Sequence, residues 1–219
     1  MKFLLCELFS LLYWVIIILV APRLFPDNLE HSRKFVHIMI ANWWFFAISL
    51  FNSFIPSMLT PFIFFFINTY ATFGRSASFV SELKRTTTDH SLGLVMYPLG
   101  YIASLFFAYY ICTSKAFAGI GIMALGYGDG FAAIIGKKFN YLPYYVNGSK
   151  KTLSGSLAMF LFTFFSVFIY SYLYNLPSPF ITSLVSASVG TIVESLASKG
   201  TDNLLIPLSV IIANICVGK

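Results

Sequence analysis

The chain has 219 residues, of which 58% are hydrophobic, 19% aromatic and only 10% charged, and its mean hydropathy is +0.81. A soluble domain carries about 25% charged residues, so this composition excludes an ordinary soluble protein and indicates a multi-span membrane protein. The net charge of +6 does not indicate nucleic-acid binding, because the basic residues lie in short loops between apolar runs. The three cysteines are isolated, which excludes a disulfide framework and a cysteine metal site.

Eight apolar runs predict an all-α, polytopic transmembrane bundle of about seven or eight helices, in a single domain over residues 1–219. The predicted spans are 4–20, 35–54, 57–73, 92–112, 116–136, 153–174, 180–197 and 204–217. The segment 74–90 places Phe79, Val80 and Leu83 on one helical face, which indicates either a short interfacial helix or a solvated loop.

The basic residues predict the orientation of the bundle. One set of alternate loops contains nearly all of them, namely Arg23, Arg33, Lys34, Arg75, Lys84, Arg85, Lys137, Lys138, Lys150, Lys151 and Lys199. The positive-inside rule places this set in the cytoplasm and both termini outside. Every acidic residue except Glu7 lies on or near the same face, so we expect an active site that faces the cytoplasm. The glycosylation sequon at Asn147 falls on this side and is expected to be unused.

An aspartate interrupts the fifth predicted span. Asp129 lies between Gly128 and Gly130, and a carboxylate at membrane depth costs about 2.5–3.5 kcal/mol on insertion scales. This cost indicates a functional residue, although a helix end followed by ordinary juxtamembrane lysines is the alternative. The glycines would let a ligand approach the backbone, and Asp129 would bind Mg²⁺, which favours one or two carboxylates plus substrate phosphates.

Three polar residues begin the second predicted span. Arg33, Lys34 and His37 are three or four positions apart, so they share one face of a helix for which Ser32 is a candidate N-cap. Two cations, an imidazole and the positive end of a helix predict an anion site, plausibly for phosphate. A positive-inside anchor with an interfacial histidine is the alternative.

Lysines and small hydroxyl residues follow the fifth span, at Lys150, Lys151, Thr152, Gly155 and Ser156. Neither a Walker A sequence nor a dinucleotide-binding glycine motif is present, so a phosphate site here must be of another kind. Lysine point charges and the hydroxyl of Thr152 would meet the phosphate oxygens, and Gly155 would let the next helix begin close to them.

A further acidic cluster lies near the end of the chain. Glu194 stands in an apolar run, where a carboxylate is expensive unless it is paired or catalytic. Its alternative role is a salt bridge to Arg33 or Lys34. Asp202 and Asn203 follow a glycine turn and are candidates either for catalysis or for capping the last helix.

These motifs occur in a fixed order: Arg33-Lys34-x-x-His37, Gly128-Asp129-Gly130-x-Ala-Ala with Gly136, Lys151-Thr152-x-x-Gly155-Ser156, and Glu194 followed by Asp202-Asn203-Leu-x-x-Pro207. From residue 33 to the end, the chain resembles the CTP-dependent lipid kinases of dolichol, phytol and diacylglycerol, a family similar to the phosphatidate cytidylyltransferases. The resemblance implies transfer of the γ-phosphate of CTP, with Mg²⁺ or another divalent cation, to an isoprenoid alcohol or diacylglycerol.

The resemblance also implies roles for the residues. Asp129 and Asp202 are expected to bind the metal, and Glu194 or His37 to accept the alcohol proton or orient the hydroxyl. The residues expected to hold the nucleotide are Arg33, Lys34, Gly128, Gly130, Lys150, Lys151, Thr152, Gly155, Ser156 and Asn203.

Two departures from the family pattern indicate altered metal binding or a different substrate: Ser154 replaces a usual Glu, and Thr201 replaces an Asp that many members carry before Asp202. The closest rival function is a cytidylyltransferase, which releases pyrophosphate, but its long terminal signature is missing. A transporter would predict inverted repeats and paired broken helices, which the sequence lacks. A non-enzymatic scaffold would leave the one-sided acids unexplained.

Overall fold

The computed structural model describes residues 2–73, 91–198 and 200–218, and the predicted interfacial helix at 74–90 lies outside them. Over this part of the chain the all-α prediction is confirmed, apart from one short hairpin. The helices are α1 (Lys2–Leu24), α2 (Leu29–Ala41), α3 (Trp43–Leu50), α4 (Phe54–Phe73), α5 (Ser91–Tyr110), α6 (Gly119–Met123), α7 (Gly130–Phe139), α8 (Leu153–Leu173), α9 (Pro179–Leu196) and α10 (Asp202–Val217).

The centre of the bundle is a composite span, Lys115–Phe139, in which the backbone changes its winding three times. A 3₁₀ turn (Lys115–Ala118) leads into α6, a π-helical segment (Ala124–Asp129) follows, and α7 completes the span. This span is 72% buried inside the bundle, against 22% for α1 at the periphery. The other helices therefore pack around it.

Within the described residues, six helical segments are long and apolar enough to cross a membrane, which supports a multi-pass membrane protein. They are Lys2–Leu24, Phe54–Phe73, Leu92–Tyr110, Lys115–Phe139, Leu153–Leu173 and Pro179–Leu196. Helix α10 is apolar but has only 16 residues.

The prediction of one continuous helix over 35–54 is wrong. Helix α2 begins earlier, because Oδ1 of Asn28 caps it by accepting a hydrogen bond from the backbone N–H of His31 (3.0 Å). Ser32, the predicted cap, is buried inside the helix instead. The helix breaks at Asn42, whose N–H bonds to the carbonyl of Met39 (3.1 Å) in a tightened turn.

Helices α2 and α3 nevertheless run together from one end of the bundle to the other. Lys34 lies in the second turn of α2, whereas the chain beyond α3 meets Lys115 at the opposite end. The ammonium of Lys115 donates to the carbonyls of Ile48 and Phe51, each at 3.0 Å, and so satisfies acceptors that the helix end leaves open.

The connection between α7 and α8 is a β-hairpin, where the sequence indicated a loop. Strands β1 (Pro143–Val146) and β2 (Ser149–Thr152) pair antiparallel, with Tyr144 opposite Lys151 and Tyr145 opposite Lys150. The turn residues Asn147 and Gly148 have φ angles of 48° and 74°, the pattern of a type I′ turn. The Nδ2 of Asn147 also donates to the carbonyl of Leu196 (2.7 Å), which attaches the hairpin to the end of α9.

We predict that Gly100→Ala destabilises the protein. A Cβ at Gly100 would collide with the backbone carbonyl oxygen of Asn203, so α5 and α10 would have to separate. Overpacking of this kind costs about 1–3 kcal/mol, which thermal unfolding in detergent would detect. Gly190→Ala is the control, because the closest contact of its Cβ would be the flexible end of Met159, at 3.2 Å, and its other contacts, at 3.7 Å or more, are ordinary van der Waals distances. Equal unfolding temperatures for the two variants would contradict the close α5–α10 contact.

Candidate active site

A cavity of about 580 Å³ lies at the end of the bundle where α2 begins. Its wall is built from α2, α5, the composite span, the hairpin, α8, α9 and α10, which are far apart along the chain. The predicted site residues that line it are Arg33, Lys34, Asp129, Lys150, Lys151, Thr152, Gly155, Ser156, Glu194, Asp202 and Asn203. Three others, His37, Gly128 and Gly130, lie outside this lining.

Asp129 lies at the last position of the π-helical segment and is only 5% exposed. Its Oδ2 accepts a hydrogen bond from the ammonium of Lys34 at 2.7 Å and lies 3.2 Å from Nε2 of His37. Lys34 and His37 reach the same oxygen because they are three residues apart on α2. The buried carboxylate is therefore paired with a cation from another helix.

His37 connects the beginning and the end of the π-helical segment. Its Nε2 lies 2.9 Å from the carbonyl of Leu125, near the start of the segment, as well as beside the carboxylate of Asp129 at its end. Both neighbours are acceptors, so Nε2 carries the hydrogen. Tyr97 fixes the residue from the other side, since its ring packs 4.4 Å from the imidazole and its hydroxyl donates to the His37 carbonyl (2.6 Å).

The glycines beside Asp129 face neighbouring helices. A Cβ at Gly130 would collide with Ile38 of α2, and a Cβ at Gly128 would collide with Thr163 of α8. Successive helical residues point about 100° apart, so both glycines turn away from the direction of Asp129. Their observed contacts are helix packing, which differs from the predicted approach to a ligand.

A second ion pair joins the hairpin to α9. The ammonium of Lys151 lies 2.5 Å from Oε1 of Glu194, and both side chains are largely buried. The expected partners of Glu194 were wrong: Lys34 pairs with Asp129, and Arg33 pairs with Glu30 at 2.7 Å. Burial alone would lower the pKa of Lys151, but the carboxylate of Glu194 outweighs this effect and leaves the pKa raised. Lys151 therefore stays positively charged.

Hydroxyl groups position the hairpin beside the cavity. The hydroxyl of Tyr144 lies 2.7 Å from Oγ of Ser156 on α8 and donates to Oγ of Ser195 on α9 (3.1 Å). Thr152 caps α8, because its Oγ1 accepts from the backbone N–H of Gly155 (3.1 Å). Sequence reasoning missed Tyr144 and Ser195. The Asn147-Gly148 pair, interpreted only as part of a sequon, was the signal for a hairpin that would have aligned Tyr144 with Lys151.

The start of α10 brings a second carboxylate to the cavity. Burial, together with the charge of Asp129, raises the pKa of Asp202 to about 6. Both carboxylates line the cavity. Asn203 donates through Nδ2 to the carbonyl of Gly93 (2.9 Å), which fixes α10 against α5. Within the described residues no group of three or more His, Cys, Asp or Glu side chains is arranged to hold a metal.

Opposite charges are nearly balanced around the cavity. The cationic lining residues are Arg33, Lys34, Lys137, Lys150 and Lys151, and the acidic ones are Glu30, Asp129, Glu194 and Asp202. Three of these cations already pair with carboxylates. An anion that enters the cavity must therefore compete with carboxylates, or arrive with a cation of its own.

Comparison with known proteins shows that the chain is similar to two phytol kinases. Phytol kinase from Synechocystis sp. is 29% identical to it over 198 residues, which cover 85% of this chain and 78% of the relative. Phytol kinase 1, chloroplastic, from Arabidopsis thaliana is 32% identical over 206 residues, which cover 83% of this chain and 64% of the plant protein. These similarities, over most of the chain, support the lipid kinase family that the sequence motifs resemble. No protein-family model and no solved structure matches it.

We predict strong coupling between Lys34 and Asp129. Lys34→Met would leave the buried Asp129 carboxylate without its cation and cost about 3–5 kcal/mol, whereas the double variant with Asp129→Asn would recover part of that loss. Denaturant or thermal unfolding of the two single variants and the double variant would measure the coupling. Arg33→Met is the control from the same helix, because the half-buried Arg33–Glu30 pair is expected to contribute less than about 1 kcal/mol. Strictly additive losses would contradict the buried ion pair.

Proposed function

We propose that this protein is a lipid kinase that transfers the γ-phosphate of CTP to the hydroxyl of an isoprenoid alcohol such as phytol or a polyprenol. The observation that carries the proposal is the cavity, where Asp129, Asp202, Lys34, Lys151 and Glu194 meet at one end of a membrane bundle. Two relatives with the name phytol kinase support the choice of an isoprenoid alcohol over diacylglycerol. The CTP donor is proposed from the sequence motifs.

The cations that line the cavity suit a nucleoside triphosphate. Phosphoryl transfer depends mainly on positioning and on neutralising the charge of the phosphate oxygens, so it needs fixed cations more than a covalent catalyst. Lys151 is fixed by the hairpin and by Glu194, and Lys34 is fixed by Asp129. With Arg33 and Lys150 they would form the phosphate-binding wall.

Asp129 and Asp202 fit a magnesium ion that arrives with the nucleotide. Mg²⁺ usually binds one or two carboxylates together with substrate phosphates and neutralises their charge, and these two carboxylates line the same cavity. Lys34 and His37 both contact Oδ2 of Asp129, and no hydrogen bond to Oδ1 occurs within the described residues. Oδ1 would therefore remain available as a ligand.

Glu194 is the better candidate to accept the proton of the alcohol. It lines the cavity, whereas His37 lies outside the lining and directs Nε2–H at two acceptors. When Lys151 binds a phosphate, its attraction for the Glu194 carboxylate weakens. The carboxylate then becomes free to orient the hydroxyl and take its proton. His37 would act as a positioning residue for Asp129.

The depth of the cavity suits a substrate that stays in the bilayer. Asp129 immediately precedes α7, which has ten residues and ends at Phe139. At 1.5 Å per residue, Asp129 therefore lies about 15 Å from Phe139 along the helix axis. The cavity therefore extends from the end of the span toward the middle of the membrane, as far as Asp129. A lipid alcohol would present its hydroxyl from the side while its apolar tail remains among the acyl chains.

The proposal predicts incorporation of labelled phosphate into a lipid. Purified protein in detergent would receive γ-labelled CTP or ATP, Mg²⁺, and phytol, a polyprenol, dolichol or diacylglycerol in turn. Label should appear in an isoprenoid alcohol with CTP, and Asp129→Asn should abolish it.

The matched control is Asp27→Asn, because Asp27 is an exposed carboxylate between α1 and α2, outside the cavity, and its loss should leave the rate unchanged. Release of pyrophosphate with phosphatidate, and no labelled lipid with any alcohol, would instead support a cytidylyltransferase.

We further predict that His37→Gln retains activity within about tenfold, since a Gln amide can replace the Nε2–H donor, whereas loss of a general base costs about 10²–10⁴-fold. His37→Ala lacks the donor and should lose both activity and thermal stability. Steady-state rates and unfolding temperatures of the two variants would separate the roles. A His37→Gln variant that is as stable as the parent but inactive would identify His37 as the base.

A further inference from the structure

Large apolar side chains cover the outer side of the connection between α7 and α8. They form what we call the interfacial patch: Phe139, Tyr141, Leu142, Tyr145 and Leu153, which are 48–74% exposed. Tyr145 lies on β1 opposite Lys150, and these two exposed side chains share the outer face of the hairpin. Tyr144 and Lys151 share the inner face, which meets the cavity and the ends of α8 and α9.

The patch is continuous with the outer face of α8. The exposed residues of that helix repeat every four positions, at Leu153, Leu157, Leu161, Phe165 and Ile169. Because α8 is a candidate membrane span, this row of apolar side chains faces acyl chains. The backbone N–H of Leu153 lies 3.1 Å from the carbonyl of Tyr141 and 3.2 Å from that of Leu142. The base of the hairpin is therefore at the same level as the first lipid-facing residue of α8.

The charged side chains contributed by α7, the hairpin and α8 have one sign. Residues 130–193 contain no Asp or Glu, while the connection contributes Lys137, Lys138, Lys150 and Lys151. Lys151 is neutralised by Glu194, but Lys138 lies over the ring of Phe139, with Nζ 5.5 Å from its centroid. Tyrosines and lysines at the end of a span are typical of the headgroup region, where a lysine is attracted to anionic lipids.

We propose that the interfacial patch, with Lys138 over the ring of Phe139, is a binding surface for anionic lipid headgroups of the leaflet on the cavity side. Tyr141 and Leu142 lie at the upper ends of the acyl chains, and Tyr145 lies among the headgroups. The continuity with α8 favours lipid over a soluble protein partner, because a soluble partner would have to displace lipid from Leu153. The hairpin thus contacts lipid with one face and the cavity with the other.

The experiment measures the depth of single fluorescent labels in nanodiscs. The full chain, with its three cysteines replaced by serine, would carry Tyr141→Cys, Tyr145→Cys or Phe165→Cys, each labelled with an environment-sensitive dye. Phe165 is the depth control, since it lies on the apolar row of α8 and is 58% exposed. Lipids with quenchers on the headgroup, at the top of the acyl chain or near its end would be compared with a water-soluble quencher.

We expect headgroup quenchers to reduce emission most at position 145, shallow acyl quenchers at 141 and deep ones at 165. Anionic lipid should increase the quenching at 145, and either salt, which screens exposed charges, or Lys138→Gln, which removes the cation, should reverse that increase. Labels at 141 and 145 that respond only to the water-soluble quencher would overturn the proposal and leave this face open to a soluble partner. Equal quenching with and without anionic lipid would overturn the anionic specificity.

Discussion

The buried contact between Asp129 and Lys34 is the interaction on which the arrangement of the site depends. An isolated carboxylate inside an apolar span is strongly unfavourable, so the span that contains Asp129 requires a cation from another helix. Helix α2 supplies that cation, and with it His37. The capped start of α2, the absence of a side chain at Gly130, and the packing of Tyr97 all bring α2 close enough for this contact.

The same principle explains how the rest of the cavity is assembled. Glu194 on α9 is satisfied by Lys151, and the hairpin holds Lys151 in place through hydroxyl contacts at Tyr144. Each buried acid therefore fixes one segment of chain that is distant in sequence. The result is a polar chamber at the end of an apolar bundle, with groups that neutralise one another until a charged ligand enters. Charges arranged in this way suit phosphate chemistry, because a nucleotide and its cation can exchange with the existing partners.

Hydropathy predicts most of the helices, since a span of about twenty apolar residues has few alternatives in a membrane. The concentration of acids and lysines on one face likewise predicted the residues that line the cavity. The specific pairs were not predictable, because Glu194 and Lys151 are 43 positions apart and several cations on that face were equivalent in the sequence. The break at Asn42 depends on a backbone change that hydropathy does not register, although the Asn147-Gly148 dipeptide did contain the hairpin signal.

The π-helical segment that ends at Asp129 sets the direction in which Asp129 and the residues of α7 point around the helix axis. A π turn accommodates one residue more than an α-helical path of similar length, and one residue corresponds to about 100° of rotation. Without that extra residue the aspartate would point along the direction now taken by a neighbouring glycine, toward another helix or the acyl chains. The hydrogen bond from His37 to the carbonyl of Leu125 satisfies an acceptor within this irregular winding. A single residue of the helix thus determines whether the carboxylate faces the polar cavity or hydrocarbon.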